Sequence, residues 1–154
     1  MEEPEYRHVV NELLVDIFND ILKVEHKAIE SFAGNALTMS EMHILEAIGK
    51  NPDQPMSDIA RRLRITLPTL TVSVQRLEEK GFITRSRAGS DRRRVNAQLT
   101  PKGLKAFGNH AEFHARMVDS LFEGLNIDKM PVLMDSMALL RDFFKRLADE
   151  FYNE

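Results

Sequence analysis

The stretch from Met56 to Thr100 constrains this chain most, because its two short helical runs stand only a few residues apart and lead into an arginine-rich pair of strand-like runs. In Met56–Leu63 the apolar residues Ile59, Ala60 and Leu63 fall on one helical face, and Arg64-Ile65 leaves room for only a brief turn. Thr66 is a good N-cap for a second helix, with Pro68 in the first turn, where a missing N–H costs nothing. Leu67, Leu70, Val74 and Leu77 then make one inward stripe, and Gly81 supplies the stop.

At about 100° per residue the opposite face carries Pro68, Thr69, Val72, Gln75, Arg76 and Glu79, with Thr66, Thr71 and Ser73 beside them. Thr69, Gln75 and Arg76 have the groups that hydrogen-bond to base edges, and Val72 among them is suited to a thymine methyl. The alternative is a merely solvated face with one tolerated valine. The following segment favours base reading. Ile83 and Val95/Leu99 flank a Gly-Ser-Asp tip, the pattern of a β-hairpin, and Arg85, Arg87, Arg92, Arg93 and Arg94 make it too basic for an ordinary turn. Between Arg61 and Arg94 ten Lys/Arg stand against three Asp/Glu, a local charge of +7 in a chain of net −3, which leaves −10 elsewhere. That asymmetry is the footprint of a polyanion-binding face on an acidic protein.

The expected fold is mainly α with a small β-hairpin wing: a winged helix-turn-helix, its second helix in the major groove and its wing along the backbone or in a minor groove. Leu77-Glu78-Glu79-Lys80-Gly81-Phe82-Ile83, Asp91-Arg92-Arg93 and Leu99-Thr100-Pro101-Lys102-Gly103 together resemble the MarR family of bacterial transcription regulators, over essentially the whole chain. The resemblance implies that Asp91 braces Arg93 against DNA, and a lone Asp among arginines is well explained as an orienting partner.

The rest of the chain reads as one domain, 1–154, in which the DNA-binding lobe spans 38–100 and a helical dimerisation region spans 5–33 and 101–152. Residues 5–32 carry apolar side chains over more than one helical stripe. Thr38-Met39-Ser40-Glu41 is a capping box, Met42, Leu45, Ala47 and Ile48 point inward behind it, and Gly49 with Asn51-Pro52 closes that helix. Thr100 and Pro101 open a helix whose stripe is Leu104, Phe107, Ala111, His114, Val118, Leu121 and Leu125. Asn126 is expected to cap the last helix, where Met130, Leu133, Met137, Leu140, Phe144, Leu147 and Phe151 form a heptad-like seam beside a second line of Val132, Leu139 and Phe143. Two stripes on a terminal helix point to a homodimer, which would read both halves of a palindromic operator in double-stranded DNA.

Cysteine is absent, no apolar run approaches a membrane span, and the N-terminus is acidic, so a cytoplasmic protein without signal peptide or membrane contact is expected. No nucleophile elbow, P-loop or dinucleotide fingerprint is present, so neither an enzyme nor a cofactor-bearing protein is expected.

Two effector chemistries remain open. His110 and His114 share a helix face, and with His43 and one of Glu41, Glu46 or Glu112 they have the ligand types for Zn²⁺; the same histidines could instead hydrogen-bond between helices. Phe18-Asn19-Asp20-Ile21-Leu22, Glu41-Met42-His43 with Glu46-Ala47-Ile48-Gly49, and His110-Ala111-Glu112-Phe113-His114 resemble the fatty-acid-synthesis repressor (FabT-like) branch of the family. That branch implies histidines here without a metal, repression of fatty-acid biosynthesis genes, and a long-chain acyl group on acyl carrier protein as corepressor. A long acyl chain needs an apolar tunnel, for which Phe18, Ile21, Leu22, Met42, Leu45, Phe107 and Phe113 are the candidates, and Arg61, Arg62 or Arg64 could receive the acidic carrier. The alternative within the family is a regulator responding to zinc or to a small aromatic or phenolic ligand.

Overall fold

A computed structural model of the chain describes residues 3–87 and 95–152, the side chains of Ser86, Arg87, Val95 and Asp128 excepted. The order is α1 (Glu3–Ala33), a 3-10 turn (Gly34–Ala36), α2 (Met39–Lys50), α3 (Met56–Leu63), α4 (Leu67–Glu79), β1 (Ile83–Arg87), β2 (Val95–Leu99), α5 (Pro101–Leu125), a second 3-10 turn (Ile127–Lys129) and α6 (Pro131–Tyr152). The chain is mainly α with one antiparallel hairpin. Its contacts group it into two compact units, Met1–His110 and Ala111–Glu154.

The first unit holds the core. Met42, Leu45 and Ile48 of α2, Ile59 of α3, Leu70, Val74 and Leu77 of α4, and Ile83 of β1 are each at most 2% exposed and form one cluster. The helix starts are set locally. Thr38 accepts from the Glu41 N–H while the Glu41 carboxylate accepts from the Thr38 N–H, the reciprocal capping box read from the sequence. Thr100 Oγ1 accepts from the Gly103 N–H, with Pro101 as the first residue of α5.

The hairpin pairs Ile83 with Leu99 through Arg87 with Val95. It is tied to the helices twice. Pro55, just before α3, forms an antiparallel bridge with Asn96, and the Gln98 amide donates to Asp53 Oδ1 at 2.8 Å. Two sequence motifs meet at its base. Gly81 turns the chain at φ +77°, and a Cβ on Gly103 would lie 2.1 Å from the Phe82 carbonyl oxygen, so only glycine permits this approach of α5.

Several expectations are corrected. Leu67 is 45% exposed rather than part of the buried stripe of α4, because the first turn of the helix projects beyond the core. Leu104 is likewise exposed; α5 buries Gly103, Ala106 and His110, a face rotated from the expected stripe so that the close approach at Gly103 is possible. Gly49 lies inside α2, not after it, and a Cβ there would meet Leu99 and Phe107 side chains at 3.0 Å. Asn126, at φ +49°, precedes the second 3-10 turn without a side-chain capping bond, and α6 begins at Pro131.

In the second unit α6 has no buried residue, and Val132, Met137, Leu139, Leu140, Phe143 and Phe144 are all exposed. The amino-terminal part of α1, in the first unit, exposes Val10, Leu13, Ile17 and Phe18 in the same way. Among the described residues no helix is long and apolar enough to cross a membrane.

Candidate nucleic-acid interface

The turn between α3 and α4 is made by Arg64, which adopts the left-handed conformation at φ +53° with its N–H bonded to carbonyls of Ala60 and Arg61. Ile65 N–H reaches the Ala60 carbonyl at 3.0 Å, which closes α3 and lets α4 start after a three-residue turn, Arg64-Ile65-Thr66. Thr66 caps α4 by accepting from the Thr69 N–H.

The α4 face away from the core is exposed as read from the sequence: Pro68, Thr69, Thr71, Val72, Gln75 and Arg76 are open to solvent, Thr66 lies beside them, and Ser73 is half-buried. Val72 is 50% exposed at the middle of this face. Several neighbours are held in place. Thr66 and Thr69 hydroxyls lie 2.8 Å apart, Thr71 Oγ1 donates to the Leu67 carbonyl, and the Gln75 amide donates to Glu79. These bonds leave hydroxyl lone pairs on Thr69 and Thr71 and the Oε1 and second amide hydrogen of Gln75 available, and Arg76 has no ion-pair partner among the described residues.

At the wing base Arg85 is clamped by Glu78, whose carboxylate accepts both the Arg85 N–H at 3.2 Å and its Nε at 2.6 Å. Those hydrogen bonds hold the Glu78 carboxyl below its usual value. Arg85 thus joins α4 to β1. Arg87 lies on β1 with its side chain outside the description, and Asp91, Arg92, Arg93 and Arg94 lie outside the described residues.

The carboxyl end of α4 is fixed by charge. Lys80 Nζ contacts both oxygens of Glu41 at 2.7 and 2.8 Å, and Glu41 is 7% exposed. Burial would raise the Glu41 carboxyl, but the hydrogen bonds from Lys80 and from the Thr38 N–H outweigh it and hold it below its usual value. Lys102 of α5 donates to the Lys80 carbonyl at 2.8 Å and sits 4.2 Å above the Phe82 ring.

The histidines assemble differently from the expected set. Glu25 Oε1 lies 2.8 Å from His43 Nε2 and 2.9 Å from His110 Nε2, linking α1, α2 and α5. Glu25 and His110 are buried, and the three donor atoms all lie within 4.8 Å of one another. Burial raises the Glu25 carboxyl, and the two imidazole hydrogen bonds more than reverse that shift. His114 is in the second unit, its ring 5.1 Å from Phe113. Glu25 was missed from the sequence, yet it carried a signal: Leu22, Glu25, Ile29 and Phe32 share one helical stripe, and a lone acid there requires a partner.

The acyl-tunnel candidates stand in different surroundings within their own units. Phe18 and Ile21 are exposed on α1 and Leu22 is half-buried, whereas Met42 and Leu45 are fully buried in the core cluster. Phe107 packs at Gly49, and Phe113 is half-buried in the second unit.

The chain is similar in sequence and fold to known proteins. The model of the MarR family matches residues 37–95. The HTH-type transcriptional regulator FarR of Neisseria gonorrhoeae is 31% identical over 104 residues, which cover 68% of this chain and 71% of that one. The HTH-type transcriptional repressor YetL of Bacillus subtilis is 23% identical, with 94% of each chain covered. Among solved structures, FabT of Streptococcus pneumoniae in complex with DNA is similar at a TM-score of 0.86 and 34% identity, covering 92% of this chain and 99% of that one.

Proposed function

Because the chain belongs to the MarR family and is a DNA-binding transcriptional regulator, we propose that it represses fatty-acid biosynthesis genes as a homodimer, with a long-chain acyl group on acyl carrier protein as its effector. The observation that carries this reading is the similarity to FabT along nearly the whole of both chains, together with an exposed Thr-Val-Gln-Arg face on α4. The exposed apolar faces of α1 and α6 supply the surface for a second copy. Two recognition helices one helical turn apart, about 34 Å, would then read a palindrome. An effector that tightens DNA binding must bind more tightly to the DNA-bound dimer, by linkage.

The test is fluorescence anisotropy with DNA from upstream of the fatty-acid synthesis genes, between about 50 and 200 mM salt, with and without carrier protein bearing a long acyl chain. Binding that strengthens as salt falls and tightens several-fold with the acylated carrier is the expected result. Salt-dependent binding indifferent to the acylated carrier would remove the fatty-acid reading and leave the regulator.

One observation favours a second effector. Glu25, His43 and His110 offer a carboxylate and two imidazoles whose ligand atoms all lie within 4.8 Å of one another, ligand types that suit Zn²⁺ once the imidazole nitrogens shed their protons. Under this reading a chelator changes DNA affinity and zinc restores it. Native mass spectrometry of protein purified from its own cells separates the two readings, since an acyl mass increment and a zinc increment differ.

A further inference from the structure

Two adjacent glutamates close α4, and they serve different partners. Glu78 is turned to the wing, where it holds Arg85. Glu79 stands one helical turn beyond Gln75 on the exposed face that carries Val72, and the Gln75 amide nitrogen lies 3.2 Å from its Oε1. A carboxylate only accepts, so this contact settles which end of the amide is which: nitrogen toward Glu79, Oε1 away from it.

Base edges in the major groove distinguish what is left. A free glutamine amide carries two donor hydrogens and one acceptor oxygen. It can donate twice to guanine, whose O6 and N7 both accept, or donate once and accept once at adenine, whose N7 accepts and whose N6 donates. With one hydrogen held by Glu79, one donor and Oε1 remain, which is the adenine pattern. The guanine mode is then short of a hydrogen, and the carboxylate behind the amide repels the two acceptors of the guanine edge.

We infer that Glu79 is a positioning residue for sequence reading: it fixes the Gln75 amide so that α4 accepts adenine and rejects guanine at the base pair Gln75 faces. Glu79 itself need touch no base. The inference rests on α4 being the base-reading helix and goes further by naming the base and the residue that selects it. The bond is exposed in the free protein, and closing the interface strengthens it by excluding water.

The experiment is selection of bound duplexes from random DNA by the full-length protein and by Glu79→Ala, Glu79→Gln, Gln75→Ala and the double alanine variant. Anisotropy on duplexes differing only at the Gln75-dependent pair then gives the adenine-to-guanine affinity ratio. Alanine at either position keeps the helix, because the replaced side chains are exposed. The parent should favour adenine at least about ten-fold, as a bidentate contact does. Glu79→Ala should cut that ratio about five-fold or more while tightening binding to every sequence, since a charge that repels phosphates is gone. Glu79→Gln, whose carbonyl can still accept from Gln75, should tighten binding alike yet keep part of the ratio. In the Gln75→Ala background, Glu79→Ala should leave the ratio unaltered.

A carboxylate that merely repels phosphate would shift every affinity and no ratio, and that result overturns the inference. So does a Gln75-dependent position that prefers another base, a Glu79 effect that persists without Gln75, or the absence of any Gln75-dependent position. A parent that enriches no sequence at all would instead sink base reading by α4, and the inference with it.

Discussion

Helices α2 and α6 both carry large apolar residues at helical spacing, and the fold treats the two in opposite ways. Met42, Leu45 and Ile48 of α2 are at most 1% exposed, enclosed by α3, α4 and the hairpin of their own chain. On α6 no residue is buried; Leu139 is 72% exposed and Val132 78%. Periodicity states that a helix needs an apolar partner but not which molecule provides it. Composition does not separate the cases either, since methionine, leucine and phenylalanine serve in both units.

The largest expected effect tests the enclosed side. Leu45→Ala should cost about 2–5 kcal/mol in urea unfolding, because the surrounding core relaxes only partly around the cavity. Its cost should not depend on protein concentration. Leu139→Asp should instead act on assembly, shifting sedimentation from dimer to monomer at micromolar protein. A variant still dimeric there would break the comparison by removing α6 from the interface.

Gly103→Ala sharpens the enclosed side. With the added Cβ 2.1 Å from a backbone oxygen, α5 must move off the α4–β1 turn, at about 1–3 kcal/mol or more in the same unfolding measurement. An unchanged unfolding midpoint would mean that the two motifs do not pack as described.

The ionic tie of α2 to α4 follows in size. Because the Glu41 carboxyl is held below its usual value of 4.5, its contribution to stability is complete above that pH and is lost as pH falls through the lower folded value. Glu41→Gln should therefore melt lower than the parent at pH 7 and lose less on acidification below about 4.5, the remaining slope belonging to other carboxylates. Parallel melting curves for parent and variant across that range would remove Glu41 as a contributor.

The smallest effect concerns Val72, which is exposed like Leu139 and under the base-reading proposal would meet DNA rather than a second copy. Val72→Ala should lower affinity by about 1 kcal/mol or less at one thymine-bearing operator position and leave sedimentation unchanged. Equal loss across all operator variants would count against base reading.

Local chemistry was legible because it is written within a few residues. The capping box at Thr38, the Thr66 and Thr100 caps, the Pro101 start, the Gly81 turn and the paired strands of the hairpin each depend on neighbours in the chain, and each is present in the structure. The left-handed turn was not legible, since Arg64 stands where a glycine would have announced it. The histidine set was half legible: His43 and His110 were singled out, but Glu25 lies 85 residues from His110, and no local pattern pairs them.

By itself, then, the sequence determined the order of the helices and hairpin strands, the capped starts of α2, α4 and α5 and a +7 segment set in an acidic chain, because capping, turn geometry and charge act over short distances or simply add. Tertiary structure decided which face of each helix is covered. Leu67 and Leu104 share the spacing of buried residues yet face solvent, and Glu25 and Glu41 are buried because cations or imidazoles from distant helices reach them. A helical stripe defines a direction around an axis, and only the approach of another element, here as close as the Phe82 carbonyl allows at Gly103, determines what lies along it.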